Sequence, residues 1–398
     1  MTLDLTTLDA HEQPSDELRR LWKNYQRTDH TEFANHPDID EVVPSEEGGQ
    51  FQLAGKIPSE KLRSAFQQFE GEDGGVAAKD STGELKDAPI YFHPLLPGLL
   101  ILPSLIPLST QKVLLSRMIH RDLSNPAHQT NLHLHFNVPY REDGGKKSES
   151  ATNGGGAEDA EAKSFFNYPP STPPNFTPKD PSVHRPLSIK QVLGRRLSWV
   201  TLGGQYDWSN RQYPSEEEEA GGGGGGTTPR FPPDIAGLLQ TLFPDTLAQA
   251  AIVNFYSPGD TMMMHRDVSE HTDKGLVSLS IGCDALFMIA PNDFAAPAAE
   301  TEEEEQEEEG EQKKKKKNKG YLLLRLRSGD AIYMSQESRY AWHGVPKVLK
   351  NTCPDFLADW PAGEDEDEDE DEDGDGRFEE WRGWMRNKRI NLNVRQMR

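Results

Sequence analysis

The chain has 398 residues, 34% of them hydrophobic, enough to bury at least one sizeable core, and a formal net charge of −23. Its only cysteines, Cys283 and Cys353, stand in no paired spacing, which excludes a disulfide scaffold and cysteine-based structural zinc and points to a reducing compartment. The acidity does not exclude a nucleic-acid substrate. Glu216 to Glu219, Glu302 to Glu311 and Glu364 to Asp375 hold 23 acidic residues, and with these runs and the lysines at 313 to 317 and 319 set aside the remainder carries about −6; such runs are solvated and screened within roughly 10 Å at moderate salt.

In chain order, the opening "MTLDLTTLDAHEQPSDE" lacks the apolar core of a signal peptide and is too acidic for a mitochondrial transit peptide. Residues 1 to about 90 mix polar loops with helix-like pieces such as "SEKLRSAFQQF". The most apolar stretch, "PLLPGLLILPSLIPL", is interrupted by Pro94, Pro97, Pro103 and Pro107 and is not expected to span a membrane. A helix is expected near 109–122, with Ser109 as N-cap and the pairs Leu114/Met118 and Leu115/Ile119 at helical spacing; it ends on His120-Arg-Asp122.

From about residue 185 the texture changes to short β-type runs: "RLSWVTLG", "QAAIVNFY", "TMMMHRD", "LVSLSIG", "ALFMIA", "YLLLRLR", "DAIYMS" and "RINLNVRQ". "SPGD" at 257–260 and "SGD" at 328–330 read as hairpin-like connections. Low-complexity acidic inserts near 214–229, 295–319 and 361–377, and "DGGKKSESATNGGG" before them, hold too few apolar residues to order themselves and are expected as disordered loops. The expectation is a mainly β domain at 181–398, an antiparallel sandwich or jelly roll with flanking helices, preceded by an α/loop extension at 1–180 that is itself partly disordered.

Four histidines stand two residues before an aspartate. His36-Pro-Asp38 and His271-Thr-Asp273 lie in polar loops. His120-Arg-Asp122 invites comparison with the protein-kinase catalytic loop, but the asparagine required five residues after the aspartate is Ala127. His120 is therefore expected to be a helix-end residue meeting terminal carbonyls. Only His265-Arg-Asp267 ends a strand-like run, where residues i and i+2 share a face and can converge on one ion. Two imidazoles and a carboxylate on one face suit Fe(II) and leave positions open for substrate and oxygen. His343 in "SRYAWHGVPKV" is the candidate third ligand, because it follows two strands expected to form a hairpin onto the same sheet; His133 and His135 in "NLHLHFNV" are the rivals, with no carboxylate nearby. In "RINLNVRQ", Arg389, Asn391, Asn393 and Arg395 share a face that is either the solvated side of an edge strand or an inward polar face with a guanidinium for a carboxylate.

Together these segments resemble the AlkB-like Fe(II)/2-oxoglutarate-dependent dioxygenases, in their eukaryotic branch; the resemblance runs through "LSIKQVLGRRLSWVTLGGQYDW", "AAIVNFYSPGDTMMMHRDVSE", "LVSLSIGCDALFMI", "LRLRSGDAIYMSQESRYAWHGVPKV" and "RINLNVRQ". It implies a double-stranded β-helix (jelly-roll) core, with His265, Asp267 and His343 as iron ligands. It also implies Asn254, Tyr256, Arg389, Asn391 and Arg395 as 2-oxoglutarate contacts, Arg389 pairing with the distal carboxylate. Trp199 and Tyr206 fall in the segment that forms part of the nucleotide-recognition lid, and Ser269 stands where bacterial repair members carry an acid that reads the damaged base. The implied reaction uses Fe(II), 2-oxoglutarate and O2 to remove an N-methyl group, such as that of N1-methyladenine, as formaldehyde from tRNA, other RNA or DNA. The alternatives are an oxygenase acting on a protein such as a histone, or a non-catalytic module on the same fold. A monomer with no membrane partner, in the nucleus, the cytoplasm or both, is the accompanying expectation.

Overall fold

Short, largely apolar runs, several of them buried on both faces, build two antiparallel sheets that face each other. The computed structural model describes residues 8–9, 11–44, 49–71, 85–141, 162–206, 213, 229–294, 319–362 and 377–398; the expected acidic inserts fall outside these, apart from their edges. The larger sheet takes β1 (Gln52–Ile57), β2 (Ala88–Phe92), β3 (Leu99–Leu102), β6 (Trp199–Gly203), β7 (Ala250–Tyr256), β9 (Leu276–Gly282), β12 (Ala331–Met334) and β14 (Arg389–Arg395) in the order β1-β2-β3-β12-β9-β14-β7-β6. The smaller sheet, β11-β10-β13-β8, takes β8 (Met262–His265), β10 (Ala285–Ala290), β11 (Leu322–Leu326) and β13 (Trp342–Val348), while β4 (Phe136–Asn137) and β5 (Thr177–Pro178) pair separately. From β7 to β14 the chain passes repeatedly between the two sheets, an arrangement consistent with a jelly roll.

That alternation corrects two expectations. The turns at 257–260 and 328–330 do not close hairpins: β7 pairs with β6 and β14 whereas β8 pairs with β13, and β11 and β12 likewise lie in different sheets. Gly259 (φ 101°) and Gly329 (φ 88°) permit the reversals, but a turn does not choose the strand's partner; burial of both faces does. The N-terminal third is also more than an appendage. β3 pairs with β12, with Leu102 opposite Ala331, so residues before 180 continue the large sheet and cover what would otherwise be an open edge.

Three apolar layers result. On the outer face of the large sheet, Ile390, Leu392 and Val394 pack with helices α2 (Ser59–Glu70), α3 (Leu108–Ser116) and α4 (Pro233–Leu242), which supply Phe66, Leu115 and Leu239. Between the sheets lie Leu276, Phe287, Ile289, Leu324 and Ile332. Helix α1 (Asp16–Arg27), capped by the Ser15 hydroxyl accepting from the Leu18 amide, lays Leu18, Trp22 and Tyr25 against Leu286, Met288 and Leu323 on the outside of the small sheet.

The expected helix near 109–122 is α3 followed by a π-turn at Arg117–Asp122. Ser109 is not its cap; that hydroxyl donates to Glu70 Oε1 at 2.9 Å. The wider turn carries His120 inward. Rather than meeting carbonyls, its ring stacks between Trp360 (5.0 Å) and Phe378 (4.8 Å), with Nδ1 2.7 Å from Ser164 Oγ. Burial pushes this imidazole down to about 3. The folded state holds it neutral while the unfolded chain binds a proton below about 6.5, so stability falls as pH drops from about 6.5 towards about 3. His120→Phe keeps the stacking and removes the titration. Its urea midpoint at pH 4.5, relative to pH 7, is expected to fall less than that of the parent; equal acid sensitivity would show that His120 does not set it.

Candidate active site

β8 and β13 are neighbours in the small sheet, and His265 lies directly opposite His343 across the pair. Gly344 makes the approach possible, since a Cβ there would stand 2.8 Å from Met262 O. In register with Ile289, which belongs to the inter-sheet core, His343 faces the space between the sheets. The His265 and His343 ring centroids are 4.4 Å apart. Asp267 Oδ1 lies 3.8 Å from His265 Nε2 and Oδ2 lies 3.9 Å from His343 Nε2. Among the described residues this is the one group of histidine, cysteine and carboxylate side chains whose ligand atoms lie within 4.8 Å of one another.

Protonation is set by the backbone. Nδ1 of His265 meets Met263 O at 2.8 Å and Nδ1 of His343 meets Ala341 O at 3.0 Å. A carbonyl only accepts, so each Nδ1 carries the proton and each Nε2 lone pair is free for a metal. Burial, then the neighbouring His265, depresses His343 to about 4, keeping it neutral. Burial would raise Asp267, but Arg395, His343 and His265 outweigh it and hold the carboxyl well below the usual carboxylate range. Two imidazole Nε2 donors and one ionised carboxylate fit Fe(II), and the His265 side chain, 38% exposed, leaves one side open.

β14 is central, between β7 and β9, so the edge-strand reading of "RINLNVRQ" falls and its polar face points inward. Arg389 sits opposite Tyr256, and Asn391 opposite Asn254. Arg389 is 1% exposed; Nη2 donates to Ser280 Oγ at 3.0 Å, its guanidinium lies 5.3 Å from the Tyr256 ring, and Nε and Nη1 have no partner among the described residues. A buried cation with two idle donors is costly unless an anion completes it, and the planar fork suits a carboxylate. Asn391 Nδ2 donates to Ser278 Oγ (2.8 Å) and Leu279 O (2.9 Å).

A family model described as the 2OG-Fe(II) oxygenase superfamily matches residues 156–395. The chain belongs to this superfamily. It is 58% identical, over the full length of both chains, to a Pyricularia oryzae protein named N6-methyladenosine RNA demethylase ALKB1. It is 60% identical over 67% of its length to the Cryphonectria parasitica N6-methyladenosine RNA demethylase ALKBH, covering 99% of that protein. It is 30% identical over 76% of its length to the Schizosaccharomyces pombe tRNA demethylase abh1, covering 80% of it. The chain is thus an AlkB-like dioxygenase, an oxidoreductase, and its superfamily implies Fe(II), 2-oxoglutarate and dioxygen; the triad and the half-partnered Arg389 fit the first two.

The oxygenase site also contains two residues that carried no signal in the sequence. Arg339, 1% exposed, donates through Nη1 to Asp267 O (2.6 Å), through Nη2 to Glu270 Oε2 (2.6 Å) and through Nε to Lys274 O (3.1 Å). Glu270, whose side chain is also 1% exposed, accepts from Arg395 Nη1 at 3.0 Å, and Arg395 Nη2 lies 3.4 Å from Asp267 Oδ2. Both terminal nitrogens of Arg395, expected among the 2-oxoglutarate contacts, therefore turn to the ligand loop. Nothing in the sequence singles out Glu270 or Arg339, because their partners are distant along the chain.

Trp199 stands opposite Asn254 and shares the inward face with it. Tyr206 OH lies 3.2 Å from Ser269 Oγ and its ring 5.2 Å from that of Tyr213, bringing the expected lid segment onto the loop just beyond Asp267. The rivals are elsewhere. His133 and His135 lie on and just after a 3-10 turn rather than a strand; His133 Nδ1 accepts from the Thr130 amide (2.8 Å), and the His135 ring lies 4.6 Å from that of His184. Asp38 accepts from Tyr25 OH at 2.8 Å beneath α1.

Proposed function

We propose that the chain is an oxidative demethylase of N-methylated nucleobases in nucleic acid, with N-methyladenine in RNA as the first substrate to test. The observation that carries this reading is the meeting, in one inter-sheet space, of the His265–Asp267–His343 donor set and the idle guanidinium edge of Arg389, beside Trp199 and the Tyr206–Ser269 contact. The names of the similar fungal proteins support the substrate class.

His265, Asp267 and His343 would hold Fe(II), Arg389 would pair with the distal carboxylate of 2-oxoglutarate, and Tyr256 and Asn254 would be further contacts to it. When bound, iron with 2-oxoglutarate and dioxygen supplies the oxidising power to hydroxylate an N-methyl group, yielding succinate and carbon dioxide. The chain's own contribution is positional. Arg339 and Arg395 fix the loop that carries Asp267, the two backbone carbonyls fix the histidine tautomers, and Trp199 and Tyr206 offer ring faces against which a base turned out of its strand can lie. The N-hydroxymethyl product then breaks down to formaldehyde and the unmethylated base. The test is turnover by iron-loaded protein of RNA, tRNA and single-stranded DNA carrying N6- or N1-methyladenine. Formaldehyde and succinate are expected in equal amounts and are expected to vanish in His265→Ala; turnover of histone-tail peptides and of no nucleic acid would replace this substrate class.

A further inference from the structure

The described residues 123–141 and 162–206 carry a single acidic side chain, Asp180, in a chain of net charge −23. Against it stand Lys179, Arg185, Lys190, Arg195 and Arg196, all exposed. Asp180 is itself engaged by the Ser182 amide (2.9 Å) and hydroxyl (2.5 Å), and among the described residues only Arg195 of these five cations has a carboxylate within 4 Å, Asp260 at 3.6 Å on an exposed pair.

Contacts tie these cations into one surface. The Lys179 amide donates to His135 O (2.8 Å) and its Nζ to His133 O (2.6 Å); Asn131 Nδ2, from the same turn, donates to Arg196 O (2.7 Å). The ring of His184, next to Arg185, lies tilted 4.6 Å from that of His135. Interleaved with the charges are apolar side chains left in water, Leu134 at 53% and Val183 at 69% exposed, beside the exposed His135 ring. Cations that track a backbone, with ring and apolar faces between them, form the surface that takes up an unpaired strand.

The surface also lies beside the site. Lys388, adjacent to Arg389, donates to Gly194 O at 2.5 Å, and Arg195 Nη1 donates to Pro258 O at 3.3 Å, just beyond Tyr256. Arg196 precedes Trp199 by three residues on the way into β6, the outermost strand of the large sheet.

We propose that this cationic face binds the phosphodiester backbone of the substrate strand and leads a flipped base past Trp199 to the triad; the inference rests on the nucleic-acid reading above. It is tested with the full-length holoenzyme carrying Arg185→Glu, Lys190→Glu and Arg196→Glu together, side chains exposed to solvent. A control carries the same change in net charge at exposed Lys61, Arg63 and Lys350, outside the two basic segments.

Binding is read by fluorescence anisotropy on unmodified single-stranded RNA of about 20 nucleotides and on DNA of the same sequence, between about 50 and 200 mM salt. The triple variant is expected to bind at least about tenfold more weakly. The slope of log Kd against log salt should flatten by roughly 2, near 0.7 per lost phosphate contact, and KM for methylated RNA should rise with KM for 2-oxoglutarate unchanged. Loss through these residues on either polymer supports the proposal, and the tighter polymer identifies the source of the backbone. Parental affinity in the triple variant, an equal loss in the control, or competition by a polyglutamate peptide as strong as by RNA would overturn it. Because binding is read on unmodified strands, a parent that binds through this face yet demethylates nothing refutes the reaction and not the surface.

Discussion

Replacing Arg389 with methionine is expected to raise KM for 2-oxoglutarate by roughly 10²- to 10³-fold while leaving Fe(II) affinity near that of the parent. The guanidinium is fully buried, and truncating one member of a buried charge pair costs about 3–5 kcal/mol. Iron is spared because Arg389 touches Ser280 and Tyr256 but none of the triad. A second sign separates this role from a structural one. Without co-substrate, Nε and Nη1 are buried and idle, so the apolar methionine should raise the Tm of the 2-oxoglutarate-free protein while abolishing the shift that 2-oxoglutarate produces in the parent. Kinetics with varied 2-oxoglutarate and thermal melts with and without it check both; a lowered Tm with unchanged KM would make Arg389 a packing residue.

Glu270→Ala should have the larger effect on stability. It leaves Arg339 and Arg395, both nearly without solvent contact, lacking the carboxylate they share, a loss of about 3–5 kcal/mol. Arg395 keeps Asp267 at 3.4 Å, but Arg339 is left with backbone carbonyls alone. The loop carrying Asp267 is then tied to β14 only by the 3.4 Å contact between Arg395 and Asp267, and divalent metal affinity should fall as well. Glu270→Gln, which keeps the shape and one acceptor, is expected to lose less. Urea unfolding of the metal-free protein and calorimetric titration with Mn²⁺ measure the two effects; unchanged unfolding in Glu270→Ala would show that the two arginines find other partners.

Ser269 and Glu270 separate two roles in adjacent positions. Glu270 is locked between two arginines inside the protein, whereas Ser269 meets Tyr206 at the edge of the site. Substrate preference is thus to be sought at Ser269 and Tyr206, and stability of the ligand loop at Glu270.

Several features were legible in the amino-acid order because they depend on neighbours along the chain. Short β-type runs between turn signals marked β7, β9 and β10, period-two alternation marked β14, and the i, i+2 spacing put His265 and Asp267 together. The alternating face of "RINLNVRQ" set Arg389 and Asn391 apart from Ile390 and Leu392. β13 was hidden by Gly344 and Pro346, which are poor strand formers; they are tolerated because β8 approaches closely and the register shifts there. Only the tertiary structure decided which sheet each strand joined, that β14 is central, that His120 is buried among aromatic rings, and that Arg339 reaches Glu270 and Asp267. Each of these is settled by burial and by charge pairing between segments distant in sequence, since a strand finds its partner by burying both faces and a buried charge persists only where an opposite charge meets it.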